Sequence, residues 1–166
     1  MISTSSTSVP VSHITVDMQA PFDDFIRDFE RLAGRFDPAA AQQSADARLL
    51  QASITHMEGE QGLMIFGKLD HGALFRLTGG HKKLLRYYIG NPLIALSMTQ
   101  HAIGAALYAP LSVLVSEVAA KITRVEFDLP STLFGQFGHP AVTNVGLALD
   151  EKLNTLIEKA AGYAKG

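Results

Sequence analysis

Hydrophobic positions change period along this chain, and each change marks an element. From Val11 to Met18 they alternate, with Ile14, Val16 and Met18 on one side and His13, Thr15 and Asp17 on the other, which predicts a strand. Pro21 then opens a helix with Asp23 and Asp24 in its first turn, where the helix dipole favours carboxylates. Phe22, Phe25, Ile26, Phe29, Leu32 and Phe36 give this helix an apolar stripe that must pack on a sheet, and Gly34 is expected to loosen its last turn. The run from Pro38 is rich in helix formers and predicts one or two short helices ending by Gly59.

Alternation returns at Gly62–Asp70, where Leu63, Ile65 and Leu69 oppose Met64, Phe66 and Lys68. Asp70-His71-Gly72 reads as a turn, Ala73–Leu77 as a hairpin-paired strand, Thr78–His81 as a loop and Lys83–Ile89 as a further strand. The stretch from Tyr87 to Glu117 organises the rest. Pro92 pushes Asn91 out of the α region, Asn91 is a good N-cap, and Pro at the first helical position loses no hydrogen bond, so a helix starts there. Ile94, Met98 and Ala102 recur at helical spacing, and Gly104 is the expected exit. After Pro110 the period is two again to Glu117; a turn at Val118–Ala120 and a strand from Ile122 to Asp128 follow. Leu133–Gly138 reads as a loop, and His139-Pro140 opens a last helix to about Tyr163, with Val142, Val145, Leu149, Leu153 and Leu156 as its apolar stripe.

Strands thus come in hairpins rather than alternating singly with helices. That predicts an α+β fold, a two-layer sandwich with a largely antiparallel sheet and helices on one face. Residues 1–10 read as a disordered N-terminal arm, and 11–166 as a single domain.

Composition narrows the function classes. The chain of 166 residues is long enough for one real core. A formal charge of −2 gives no electrostatic reason to expect nucleic acid, and no apolar run reaches membrane-spanning length. Cys is absent, which excludes disulfides, thiolate catalysis and Cys-based zinc sites and fits a reducing, cytoplasmic setting. The polar start lacks the basic and apolar regions of a secretory signal. Phosphate-binding glycine patterns are also missing, and nothing points to a cofactor.

The runs GLMIFGKLDHGA, RYYIGNPLIALSM, LYAPLSVLVSE and VEFDLPSTLFGQF, followed by a helix with LDEKL, resemble the domain-of-unknown-function family 302 over roughly Gly62 to Leu156. Asn91-Pro92 after a strand, Pro110 before a Val-rich strand and Asp128-Leu129-Pro130-Ser131 carry the resemblance best. Many members have Asp and Pro adjacent where Leu129 intervenes here, and a Cys beside the second proline where this chain has Ala109. The resemblance implies a compact α+β sandwich similar to the TATA-binding-protein-like class. It implies no established activity.

Several residues could carry chemistry. The six histidines (His13, His56, His71, His81, His101, His139) form no i, i+3 or i, i+4 pair, so there is no local metal motif. Asp70-His71 and His81 flank one predicted hairpin and could meet as an acid–base pair, or be an ordinary polar turn. Arg86 and Tyr88 share a strand face and could bind a carboxylate or phosphate; the alternative is a cross-strand salt bridge from Arg86 to Glu126 or Asp128. His101 near a helix end reads as a C-terminal cap. Asp128, Ser131 and His139 suggest a hydrolase set, without a nucleophile-elbow motif. Phe134 and Phe137 either tuck under the last helix or line a pocket or subunit contact, where the aromatic loop could serve as a ligand lid.

Two functions follow. The first is a binding module for a small molecule or protein that self-associates, because Met64, Phe66 and Leu114 put apolar groups on the sheet's second face and a homodimer is the simplest cover. The second is a small enzyme with a site among His71, His81, Arg86, Tyr88 and Asp128 acting on an anionic small molecule. Neither calls for nucleic acid or a membrane.

Overall fold

A computed structural model of the chain describes residues 1–42 and 46–163. In order, the elements are β1 (His13–Met18), α1 (Phe22–Leu32), β2 (Gly34–Arg35), α2 (Pro38–Gln42), α3 (Ala47–Met57), β3 (Met64–Asp70), β4 (Leu84–Gly90), α4 (Pro92–Thr99), β5 (Leu111–Ala119), β6 (Ile122–Asp128), α5 (Pro130–Gly135) and α6 (Pro140–Ala160). The strands form one sheet in the order β1-β6-β5-β4-β3-β2. Every neighbouring pair is antiparallel except the short β2, which runs parallel to β3. This is an α+β two-layer sandwich.

The core lies between the sheet and the helices α1 and α6. Helical spacing puts Phe22, Phe25, Phe29 and Leu32 on the buried side of α1, and Val142, Leu149, Leu153 and Leu156 on that of α6. Strand alternation supplies the other wall: Tyr87, Ile89, Val113, Val115 and Val125 are fully buried. The rings of Phe25 and Phe29 stack at 5.6 Å, and Tyr87 meets Phe29 edge-on at 5.3 Å. The hydroxyl of Tyr87 leaves this core by donating to Glu30 Oε1 at 2.6 Å, an oxygen that also accepts from Lys68 Nζ at 2.7 Å. Burial, and then the bond to Glu30, push the Tyr87 phenol far above its usual range. Burial works against the Glu30 carboxylate, but Lys68 and Tyr87 outweigh it and hold its pKa below the ordinary value.

Several expected boundaries move. Ala73–Leu77 is no strand: Gly72–Thr78 winds as a 3₁₀ helix. Asp70 Oδ1 accepts from the Ala73 amide at 2.9 Å and starts the turn, and Gly79, at φ 73°, ends it in the left-handed region. β4 therefore takes the place beside β3 that the hairpin was expected to fill. Gly34 does not loosen α1. It begins β2, where a Cβ would sit 2.0 Å from the Met57 carbonyl oxygen, so only glycine fits the crossing with the α3 exit. Phe36 lies past the helix and stacks on Phe66 at 4.5 Å.

α4 ends at Thr99, short of Gly104, and a 3₁₀ turn over Ile103–Tyr108 leads to a cis Ala109–Pro110 peptide and β5. The β5–β6 turn is Ala120–Lys121, because β5 runs on to Ala119. The expected Leu133–Gly138 loop is partly helix α5, started by Pro130. The helices expected before Gly59 are α2 and α3; residues 43–45 between them, and 164–166 at the domain's expected end, lie outside the described residues. The first twelve residues carry no regular structure; Ser12 is tied to the domain by its carbonyl, which accepts from the Leu129 amide at 2.8 Å.

Candidate ligand site on the open sheet face

The residues that alternate outward on β1, β6, β5 and β4 form the face opposite α1 and α6. Register sets them side by side: Arg86 opposite Leu114, Leu114 opposite Glu126, and His13 opposite Asp128. The 3₁₀ helix after β3 stands at one margin and contributes His71, Leu74 and Phe75. Together these elements enclose a concavity of about 600 Å³ whose polar lining includes His13, His71, Arg86, Ser112, Glu126 and Asp128. Leu74, Phe75, Leu84 and Leu114 give it an apolar side.

Its charges are separated by a strand. β5 lies between Arg86 and the carboxylates of β6, and two strand spacings amount to about 10 Å. Arg86 donates from Nη2 to Ser112 Oγ at 2.8 Å and stands over the Tyr88 ring at 4.9 Å. Among the described residues it forms no ion pair with a carboxylate, and the expected bridge to Glu126 or Asp128 is absent. Those carboxylates go instead to His13: Nδ1 lies 3.0 Å from Asp128 Oδ1 and Nε2 lies 3.4 Å from Glu126 Oε1. The bond to Asp128, then that to Glu126, raise the exposed imidazole's pKa above 6.5. The concavity thus has a cationic end with a free guanidinium edge and a second end where an imidazolium is clamped by two acids.

A family model for the domain of unknown function DUF302 matches residues 42–160. The chain belongs to the DUF302 family. The match begins in α2, earlier than the Gly62–Leu156 resemblance, and so takes in α3. A crystal structure of an uncharacterized conserved DUF302 protein from Bacillus stearothermophilus is similar, with a TM-score of 0.62 over 89% of this chain and 97% of that one, at 14% sequence identity. At that identity the likeness speaks for the fold alone. No curated protein matches the chain.

In this DUF302 domain the structure brings together three of the expected site residues, Arg86, Asp128 and His71, around one concavity. Tyr88 supports Arg86 through its ring. His81 is exposed in the loop before β4 and does not line the concavity, and Asp70 spends its carboxylate on the Ala73 amide, so the expected acid–base pair across this turn does not form. Phe134 is fully buried on α5, which rules it out as a lid; it lines a cavity on the helix side. Phe137 packs edge-on against Tyr108 at 6.1 Å. The hydrolase set does not assemble: Asp128 faces His13, the Ser131 amide donates to Asp150, and His139 stacks on His101 at 4.4 Å. His101 therefore meets another ring rather than the carbonyls ending α4. Among the described residues no group of three His, Asp or Glu side chains is arranged to hold a metal ion. Among the described residues no helix is long and apolar enough to cross a membrane.

His13 is the residue that the sequence did not single out. Its signal was present, since it alternates onto the polar side of β1, but its partners belong to β6 and only the β1–β6 pairing joins them.

Proposed function

We propose that this DUF302 domain is a binding module that holds a small carboxylate- or phosphate-bearing molecule on its open sheet face and pairs with a second copy over the same side. The observation that carries the reading is Arg86: a guanidinium positioned by Ser112 and Tyr88, lining a concavity of about 600 Å³, with no carboxylate among the described residues to neutralise it. A planar fork with a free edge is suited to a carboxylate or phosphate. The apolar side formed by Leu74, Phe75, Leu84 and Leu114 accepts the body of such a ligand, and Glu126 with Asp128 meets a hydroxyl or ammonium at its far end.

Self-association rests on the rim. Leu74 is 61% and Leu77 87% exposed at the margin of this face, and large apolar groups so placed favour cover by a partner. The test is a ligand screen with small carboxylates and phosphates by calorimetry, together with light scattering across a dilution series. Arg86→Ala should lower affinity for any hit at least tenfold with little change in melting temperature, and unchanged affinity removes the site from this face. Light scattering should give twice the chain mass, and Leu77→Glu should return it to one; a monomer throughout defeats the self-association.

An acid–base enzyme is the second reading, carried by the His13–Asp128 contact at 3.0 Å inside the same concavity. Turnover of a bound ligand that is lost in His13→Gln while binding survives would favour it.

A further inference from the structure

A second cavity lies on the helix-covered side, where β4 ends and α4 begins. It measures about 230 Å³. Phe36 and Phe66, stacked at 4.5 Å, form one wall, and Met98 and Phe134 contribute to the lining from α4 and α5. Among the described residues no charged one lines it.

Its one side-chain amide is already engaged. Asn91 accepts from the Leu93 amide at 2.8 Å and donates from Nδ2 to Glu58 Oε1 at 2.7 Å and to the Gly62 carbonyl at 2.8 Å. Both donors are spent, so neither an ion nor a sugar finds the hydrogen bonds it would need to leave water. Protein interiors are normally close-packed, and lining atoms beside a void lose dispersion contacts that a guest restores. An apolar cavity of about 150 Å³ is enough to stay dry and take up benzene. The walls select further: aromatic faces favour stacked or edge-on rings, and the Met98 thioether favours a ring edge.

We propose that this cavity binds a small neutral aromatic molecule of one or two fused rings, independently of the anion site across the sheet. Asn91 and Pro92 form part of its wall, so the cap that starts α4 also shapes the site. Ala95, on the same helix, lines it with a small side chain that leaves room for a larger one.

The test is an NMR titration of the full chain with indole and, separately, benzoate, following methyl resonances. Indole should bind saturably and shift the methyls of Met98, Ala95 and Ile94 while leaving Leu114 and Leu84 on the open face unmoved. Benzoate should bind here at least tenfold more weakly, because its charge cannot be solvated in this lining. Ala95→Leu, which fills the cavity, should weaken indole at least tenfold, and Arg86→Ala should leave indole unaffected. Absence of saturable shifts at Met98 and Ala95 in the wild-type chain overturns the proposal whatever the variants do. So does unchanged indole affinity in a folded Ala95→Leu, or loss of indole in Arg86→Ala, which would move the ring to the other face.

Discussion

Two faces of one sheet carry opposite chemistry on the same strands. On the helix side Tyr87, Val113 and Val125 are fully buried. Their immediate neighbours Arg86, Leu114 and Glu126 point the other way and stay half-exposed. A step of one residue therefore separates a row chosen by volume from a row chosen by charge. The inward row joins one continuous core with α1 and α6, so a change there is felt by many neighbours at once. The outward row has its partners in small local groups, Arg86 with Ser112, Arg124 with Asp17 and His13 with Asp128 and Glu126. Folding draws on the first row, which leaves the second available for recognition.

The sharpest way to break this contrast is to truncate one residue from each side. Phe29, fully buried against Phe25 and Tyr87, should cost about 4 kcal/mol on replacement by Ala, as transfer and cavity terms add. Leu114→Ala on the open face should cost roughly 1 kcal/mol, because its side chain is already half in water. Urea unfolding of both variants measures the difference. Equal losses would mean that the open face is covered in solution, and would support assembly over it.

The junction between the faces is next. Asn91 is 5% exposed and serves three partners, which is more than a cap needs. Loss of the cap alone costs about 1 kcal/mol. Asn91→Ala also strands the Gly62 carbonyl and Glu58, which raises the expected loss to roughly 2–3 kcal/mol. Asn91→Asp keeps the acceptor for Leu93 but sets a carboxylate against Glu58, so it should recover only part of the stability. Full recovery in thermal melts would show that the cap is all that matters.

A smaller effect tests how the core reaches the surface. Tyr87→Phe removes the donor to Glu30 but leaves Lys68 on the same oxygen, so about 1 kcal/mol should be lost. The sign of its pH dependence is set by Glu30. A folded pKa below the ordinary 4.5 means stability that is present above the unfolded value and lost as pH falls through the folded one. Tyr87→Phe should shrink that acid-side loss, and an unchanged acid transition would assign it to other carboxylates.

How far the chain could be read depends on whether a signal is local. Period two found β1, β5 and β6 with small errors at their ends, because alternation is a property of neighbouring residues. Asn91-Pro92 and His139-Pro140 marked helix starts for the same reason. Ala73–Leu77 misled because Ala73, Leu74, Phe75 and Leu77 are apolar without alternating, while the deciding contact, Asp70 to Ala73, is a turn bond whose weight periodicity cannot show. β2 is too short to have a period at all, and Gly34 is explained by the distant Met57. The candidate site was half visible. Arg86 and Tyr88 share a strand face by local alternation, whereas the β5 strand between Arg86 and Asp128, and the meeting of His13 with Asp128, follow from strand order.

The last prediction concerns that meeting, and it is the smallest in energy. His13 is exposed, so its clamp to Asp128 and Glu126 is screened by water and adds little to stability. Its direction is nevertheless fixed. The folded pKa lies above 6.5, so the contribution is complete below the unfolded value and disappears as pH rises through the folded one. An NMR titration of the His13 ring should therefore show a raised midpoint. Asp128→Asn should bring it down most, since that contact is the shorter at 3.0 Å, and Glu126→Gln should bring it down less, at 3.4 Å. The same proton matters for an anion held by Arg86. Each imidazolium formed adds positive charge to the concavity, so affinity for a carboxylate ligand should rise as pH falls through the His13 midpoint. In His13→Gln that rise should shrink, leaving only what His71 in the same lining supplies, while Arg86-dependent binding remains. A pH profile indifferent to His13 would confine recognition to the Arg86 end and leave the two acids as a strap between β1 and β6.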